Sequence, residues 1–143
     1  MPIHQKILGK IKGASIVFLV SDIKKSSEFY RDVLGFDYEE IGIGNIKHIH
    51  LTRDNLTFIL HEAGKSVDIR PFSSLFGGPQ WDAFAYSDSV DLLFEEFKAK
   101  GVEIAYGFNQ DPKWNEFAIK DVDGYVIAFG GGLSNNRSNS YNL

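Results

Sequence analysis

The chain contains no cysteine, only 4 prolines and a single methionine among 143 residues. It has no strongly apolar run longer than Ile16 to Val20. The missing cysteine excludes a disulfide scaffold, a thiolate metal site and a cysteine nucleophile. The short apolar run excludes a spanning helix, which needs about 20 residues. It is also too short for the apolar stretch of a secretory leader, and a cytoplasmic location is expected. Positive charge is in slight deficit, with 15 Lys+Arg against 19 Asp+Glu and a net charge of −4. That balance argues against a protein that tracks nucleic-acid phosphates. What the chain has is ordinary for one folded domain: 43% apolar and 24% charged residues. The aromatic content stands apart. Twelve Phe, 6 Tyr and 2 Trp are more than a core of this size requires.

Local patterns divide the chain into an arm over residues 1–13, a body over 14–130 and a Gly/Ser/Asn-rich tail over 131–143. In the body, Ala14 to Val20 is β-branched and aromatic and reads as a strand. Ser21-Asp22 can cap a helix that Gly35 ends. Three strands follow, over Phe36 to Ile43, Ile46 to Thr52 and Leu56 to His61, the last two joined across Asp54-Asn55. After a loop from Ala63 to Gln80 the pattern restarts. Ala83 to Tyr86 is a strand, Ser87-Asp88 opens a helix ended by Gly101, and Val102 to Tyr106 is a strand. Trp114 to Lys120 and Tyr125 to Gly130 form a hairpin around Asp123-Gly124.

The restart has a fixed offset. Ser21, Asp22 and Gly35 recur 66 positions later as Ser87, Asp88 and Gly101. Arg53-Asp54 recurs 67 later as Lys120-Asp121. The chain is therefore β-α-β-β-β written twice, as modules 14–62 and 82–130. The fold class is α+β: a curled mixed sheet around a cavity, with helices outside. One such unit cannot bury both faces of its sheet, so the copies are expected to pack together.

Val20-Ser21-Asp22, the run from Ser27 through Phe29-Tyr30-Arg31-Asp32 to Leu34-Gly35-Phe36, and Glu116-Phe117 followed by Lys120-Asp121 and Asp123-Gly124 resemble the vicinal-oxygen-chelate superfamily. That group includes glyoxalases, extradiol dioxygenases and bleomycin-resistance proteins. The resemblance implies paired modules around an open cavity, usually built at a homodimer. In metal-dependent members it implies a His on the first strand of each module and a Glu on the last. Those positions here are Ser15, Ile59, Asp82 (or Trp81, one residue away) and Ala128. Such a set offers one carboxylate at most, so neither a cofactor nor a catalytic residue is expected.

The metal-free branch, similar to bleomycin-resistance proteins, sequesters planar cationic compounds between aromatic side chains. By that resemblance, pocket positions fall at His48, Phe84 and Trp114. Strand alternation adds Asp82 and Tyr86 to the face of Phe84. A turn at Asp54-Asn55 sets His48 opposite His61 and His50 opposite Ile59 on one face. The histidines can line a wet pocket or ligate an ion. The expected function is binding of a small aromatic or cationic compound, as in antibiotic resistance, through His48, His50, His61, Asp82, Phe84, Tyr86 and Trp114. The alternative is a metal-dependent lyase or dioxygenase using the histidines as a relocated site.

Overall fold

The computed structural model describes residues 6–41, 48–75, 77, 80–111 and 113–134. The start expected at Ile46 for the third strand, the end expected at Ile43 for the second and most of the tail lie outside the described residues.

The first module runs β1 (Ile16–Val20), α1 (Ile23–Glu28), a π-helical turn (Phe29–Val33), β2 (Asp37–Ile41), β3 (His48–Arg53) and β4 (Leu56–Glu62). Asp22 caps α1 by accepting a hydrogen bond from the Lys25 amide at 3.1 Å. Gly35 ends this helical segment with a positive φ of 79°, a conformation that costs glycine nothing. The second module repeats the order as β5 (Ala83–Ser87), α2 (Val90–Ala99), β6 (Ile104–Gln110), β7 (Asn115–Lys120) and β8 (Val126–Gly131). Its cap sits one residue later than the repeat predicts. Ser89 is the N-cap of α2, and the Ser87 hydroxyl instead accepts from the Ser89 amide. The loop between modules also holds a short 3-10 helix, Phe72–Leu75, which nothing in its composition announces.

The result is α+β, with two four-stranded mixed sheets of order β1-β4-β3-β2 and β5-β8-β7-β6. The outer pair of each is parallel and the rest antiparallel. The hairpin register is the expected one: Arg53 pairs with Leu56, His50 with Ile59 and His48 with His61. Burial alternates along β1, β3, β4 and β5, whereas β2 is exposed throughout and β8 is buried from Val126 to Gly130. Phe18, Val20, Leu51, Phe58 and Leu60 are covered in the first module, and Ala85, Phe117, Ile119, Ile127 and Phe129 in the second. Both covered faces and both helical segments feed a single core.

Specific contacts fasten the modules together. Phe18 stacks on Tyr125 at 4.0 Å between centroids. The buried Tyr30 hydroxyl donates to Asp121 at 2.7 Å. Asp123 accepts from the Ser21 and Ser26 hydroxyls at the start of α1. Arg53 forms a two-pronged ion pair with Glu96 of α2, at 2.7 and 2.9 Å. Each module thus grips the helical segment of the other with its last hairpin.

Candidate functional site

The open face of the second sheet carries the uncommitted aromatic residues. Phe84 and Tyr86 lie two apart on β5 and therefore project to the same side. Beside them β8 presents Gly130, and this glycine has a steric reason. A β-carbon there would lie 2.5 Å from Trp114 and 2.8 Å from Phe84. The missing side chain lets both rings lie over the strand. Phe84 and Trp114 stand nearly parallel, 6.2 Å apart at 24°. Tyr86 leans on both rings, and Trp81 meets Phe84 edge-on at 4.9 Å. The wall is uncovered: Tyr86 is 79% exposed, and Trp81 and Trp114 are 42% exposed. Exposed aromatic clusters of this kind mark recognition surfaces rather than core.

Phe84, Tyr86 and Trp114 line a cavity of about 930 Å³, within the range of small-molecule sites. The turn Arg53-Asp54-Asn55, the run Ser87-Asp88-Ser89 and the backbone of Gly130 to Gly132 form its polar side. Arg53 is engaged by Glu96, which leaves Asp54 and Asp88 as the formal charges of the lining.

Beside the wall lies a hydrogen-bond chain, since Glu116 pairs with Gly130 and Gly130 with Tyr86 on one face. The Trp114 indole N–H donates to Glu116 Oε1 at 2.9 Å. The Tyr106 hydroxyl donates to Glu116 Oε2 in a short contact. The Trp81 indole N–H donates to the Tyr106 oxygen at 2.7 Å. Burial, and then the hydrogen bond to Glu116, push the Tyr106 hydroxyl well above its ordinary pKa. Glu116, Tyr106 and Gly130 belong to the site although the sequence does not single them out for it. Spacing holds a partial signal, because Trp114 and Glu116 are two apart across the start of β7.

The remaining residues named from sequence are placed elsewhere. The carboxylate of Asp82 is committed to the fold. It accepts from the Ser73 amide at 2.8 Å, the Ser73 hydroxyl at 2.6 Å and the Val126 amide at 2.7 Å. It thereby ties the 3-10 helix to β8, over a smaller hollow of about 260 Å³ beside Tyr106. His48, His50 and His61 sit on the open face of the first sheet, and none lines the large cavity. The rings of His48 and His61 touch, Nε2 to Nδ1, at 3.0 Å. Among the described residues, no three His, Asp or Glu side chains converge as a metal site.

The positions of the expected metal ligands also do not fit an ion. Ala128 is buried and pairs with Phe84, Ile59 pairs with Val17, and Asp82 is consumed as described. This donor set supplies no first shell.

No curated protein matches the chain significantly. Solved structures do. UcmS2 superposes with a TM-score of 0.69 at 16% identity, covering 85% of this chain and 98% of that one. TnmS3, an antibiotic binding protein from Streptomyces sp. CB03234, gives 0.60 at 23% identity, covering 88% and 100%. TioX from Micromonospora sp. ML1 gives 0.61 at 20% identity, covering 85% and 100%. These likenesses establish the fold. A family model, that of the Glyoxalase/Bleomycin resistance protein/Dioxygenase superfamily, matches residues 14–129. The match spans both modules, and the chain belongs to this superfamily.

Proposed function

We propose that the protein binds and sequesters a small aromatic compound without a metal, in the manner of bleomycin-type resistance proteins. The observation that carries this reading is the uncovered wall of Phe84, Tyr86 and Trp114 on a cavity of about 930 Å³. Planar ligands stack on such rings and fill such volumes. Likeness to an antibiotic binding protein supports the same direction. The body over 14–130 is the binding unit in this reading, with an arm before it and a tail after it. The proposed setting is a homodimer in the cytoplasm; the dimer rests on Val17 and Leu19 on the open face and Ile7, Leu8 and Ile11 in the arm, all exposed and open to apolar cover.

Calorimetric titration with a panel of planar aromatic compounds tests the proposal. Saturable binding that is lost in Trp114→Ala supports it. Identical heats for the wild type and that variant across the panel overturn it.

A second reading rests on the His48–His61 contact. Two imidazoles this close can share a soft divalent ion if a third donor arrives from elsewhere. Equilibrium dialysis against Zn²⁺, Ni²⁺ and Co²⁺ decides between them. Stoichiometric retention abolished by His61→Ala favours the metal-dependent enzyme. No retention removes it.

A further inference from the structure

We propose that the seam between the two modules is a second subsite, which takes a saturated hydrocarbon chain carried by the aromatic ligand. This rests on the binding role proposed above and adds to the ligand a part that the wall does not hold. The cavity does not end at the wall. Alternation puts Phe84 and Tyr86 on the open face of the second sheet, and Ala85 and Phe129 on the opposite, covered face. Residues of both faces line the one cavity of about 930 Å³. It therefore passes over the ends of β5 and β8 and enters the space between the modules. There its lining is Phe36 and Leu56 from the first module and Leu93, Phe97 and Phe129 from the second.

The chemistry of the seam selects its occupant. All five side chains are hydrocarbon, so a polar group placed among them loses its water without a replacement partner. Phe36, Phe97 and Phe129 are at most 5% exposed, whereas Leu56 and Leu93 are half-buried, so the seam opens between the two leucines. Walls that expose so little form a slit, which passes a chain of methylenes and keeps a ring out on the wall. The slit is also fixed in width. Arg53 of the first module pairs with Glu96 of α2 at 2.7 and 2.9 Å and donates to the Leu34 carbonyl at 2.7 Å. Its guanidinium lies 5.8 Å from the centre of the Phe97 ring. Aliphatic carbon withdrawn from water into such a slit gains free energy in proportion to its area. The ligand is thus bent and bipartite, with its plane on the wall and its chain turned over the ends of β5 and β8.

The test is a series of neutral 1,8-naphthalimides that share one planar head and carry an N-ethyl, N-butyl, N-hexyl or N-octyl chain, measured by equilibrium dialysis. Wild-type affinity is expected to rise about threefold per methylene as the chain enters the seam. Leu93→Phe fills the slit and should flatten that rise. A member ending in a second ring, N-(2-phenylethyl), should bind no more tightly than the N-ethyl compound. Wild-type affinities that do not change with chain length, a rise undiminished in Leu93→Phe, or a ring-ended member as tight as N-octyl would each overturn the inference and leave the binding reading standing. If no member binds the wild type, the subsite and the aromatic site fail together. Thermal melts verify folding. Should Leu93→Phe not fold, Leu56→Phe fills the slit from the other module, and the same outcomes decide.

Discussion

Single residues of like chemistry hold opposite roles here, and their hydrogen-bond partners separate them. Asp82 and Glu116 are both carboxylates near the wall. Asp82 satisfies three donors of the chain, two of them backbone amides, while Glu116 holds two aromatic side chains. Asp82→Ala strands those three donors, and urea unfolding should show a loss of roughly 2–4 kcal/mol. Trp114→Ala removes a half-exposed ring and should cost little stability. Its ligand affinity should fall by about 1–3 kcal/mol, read by calorimetry. Asp121 supplies the pH dependence. Burial raises its pKa to about 6 despite hydrogen bonds from Tyr30, Asp123 and Tyr125. The folded state therefore holds its proton more tightly than the unfolded chain. The Asp121 contribution is greatest below the ordinary carboxylate range and is lost as pH rises to about 6, by about 3 kcal/mol. Stability measured from pH 4 to 7 should lose that component in Asp121→Asn. An unchanged profile would remove Asp121 as the cause. Sequence alone could not rank these acids, because burial and partners arise only once distant segments meet.

At the level of elements, the order of strands and helices along the chain and the hairpin register are legible in the sequence. The turn Asp54-Asn55 fixed the pairing of β3 with β4, and alternation then fixed which face each histidine took. The left-handed Gly35 and Gly101 marked both helix ends. The Phe72–Leu75 helix was not legible, because its anchor is Asp82, across a gap in sequence. Nor was the role of Gly130, which the sequence marks only as the last residue of the final strand. Its partners come from β5 and from the residue before β7, and no local pattern joins them. The strand β8 works here as a floor cut low at one position. Gly130→Ala drives a methyl group into Trp114 and Phe84, so the rings must lift or turn. Affinity for planar ligands should drop about tenfold, a change of about 1.4 kcal/mol, with far-UV circular dichroism unchanged.

For the whole molecule, the duplicated pattern foretold two modules, and the core shows how they join. Each module's final hairpin holds the other's helical segment, through Tyr30–Asp121 on one side and Arg53–Glu96 on the other. Contacts so divided leave neither module stable alone, and unfolding should be a single cooperative transition. The histidine face and the aromatic face fall on separate sheets, so the seven residues grouped from sequence do not share one cavity within a chain. A homodimer is the assembly that could bring two such faces together. Light scattering during gel filtration at micromolar concentration should give about twice the mass of the chain, and a monomer would count against the dimer. The wall has one further consequence. The chain has only two tryptophans, and both belong to it, Trp81 against Phe84 and Trp114 alongside. Tryptophan emission from this protein therefore originates at the candidate site, with no indole in the core to dilute it. Excitation at the red edge of the absorption band makes the untouched chain its own optical probe of occupancy.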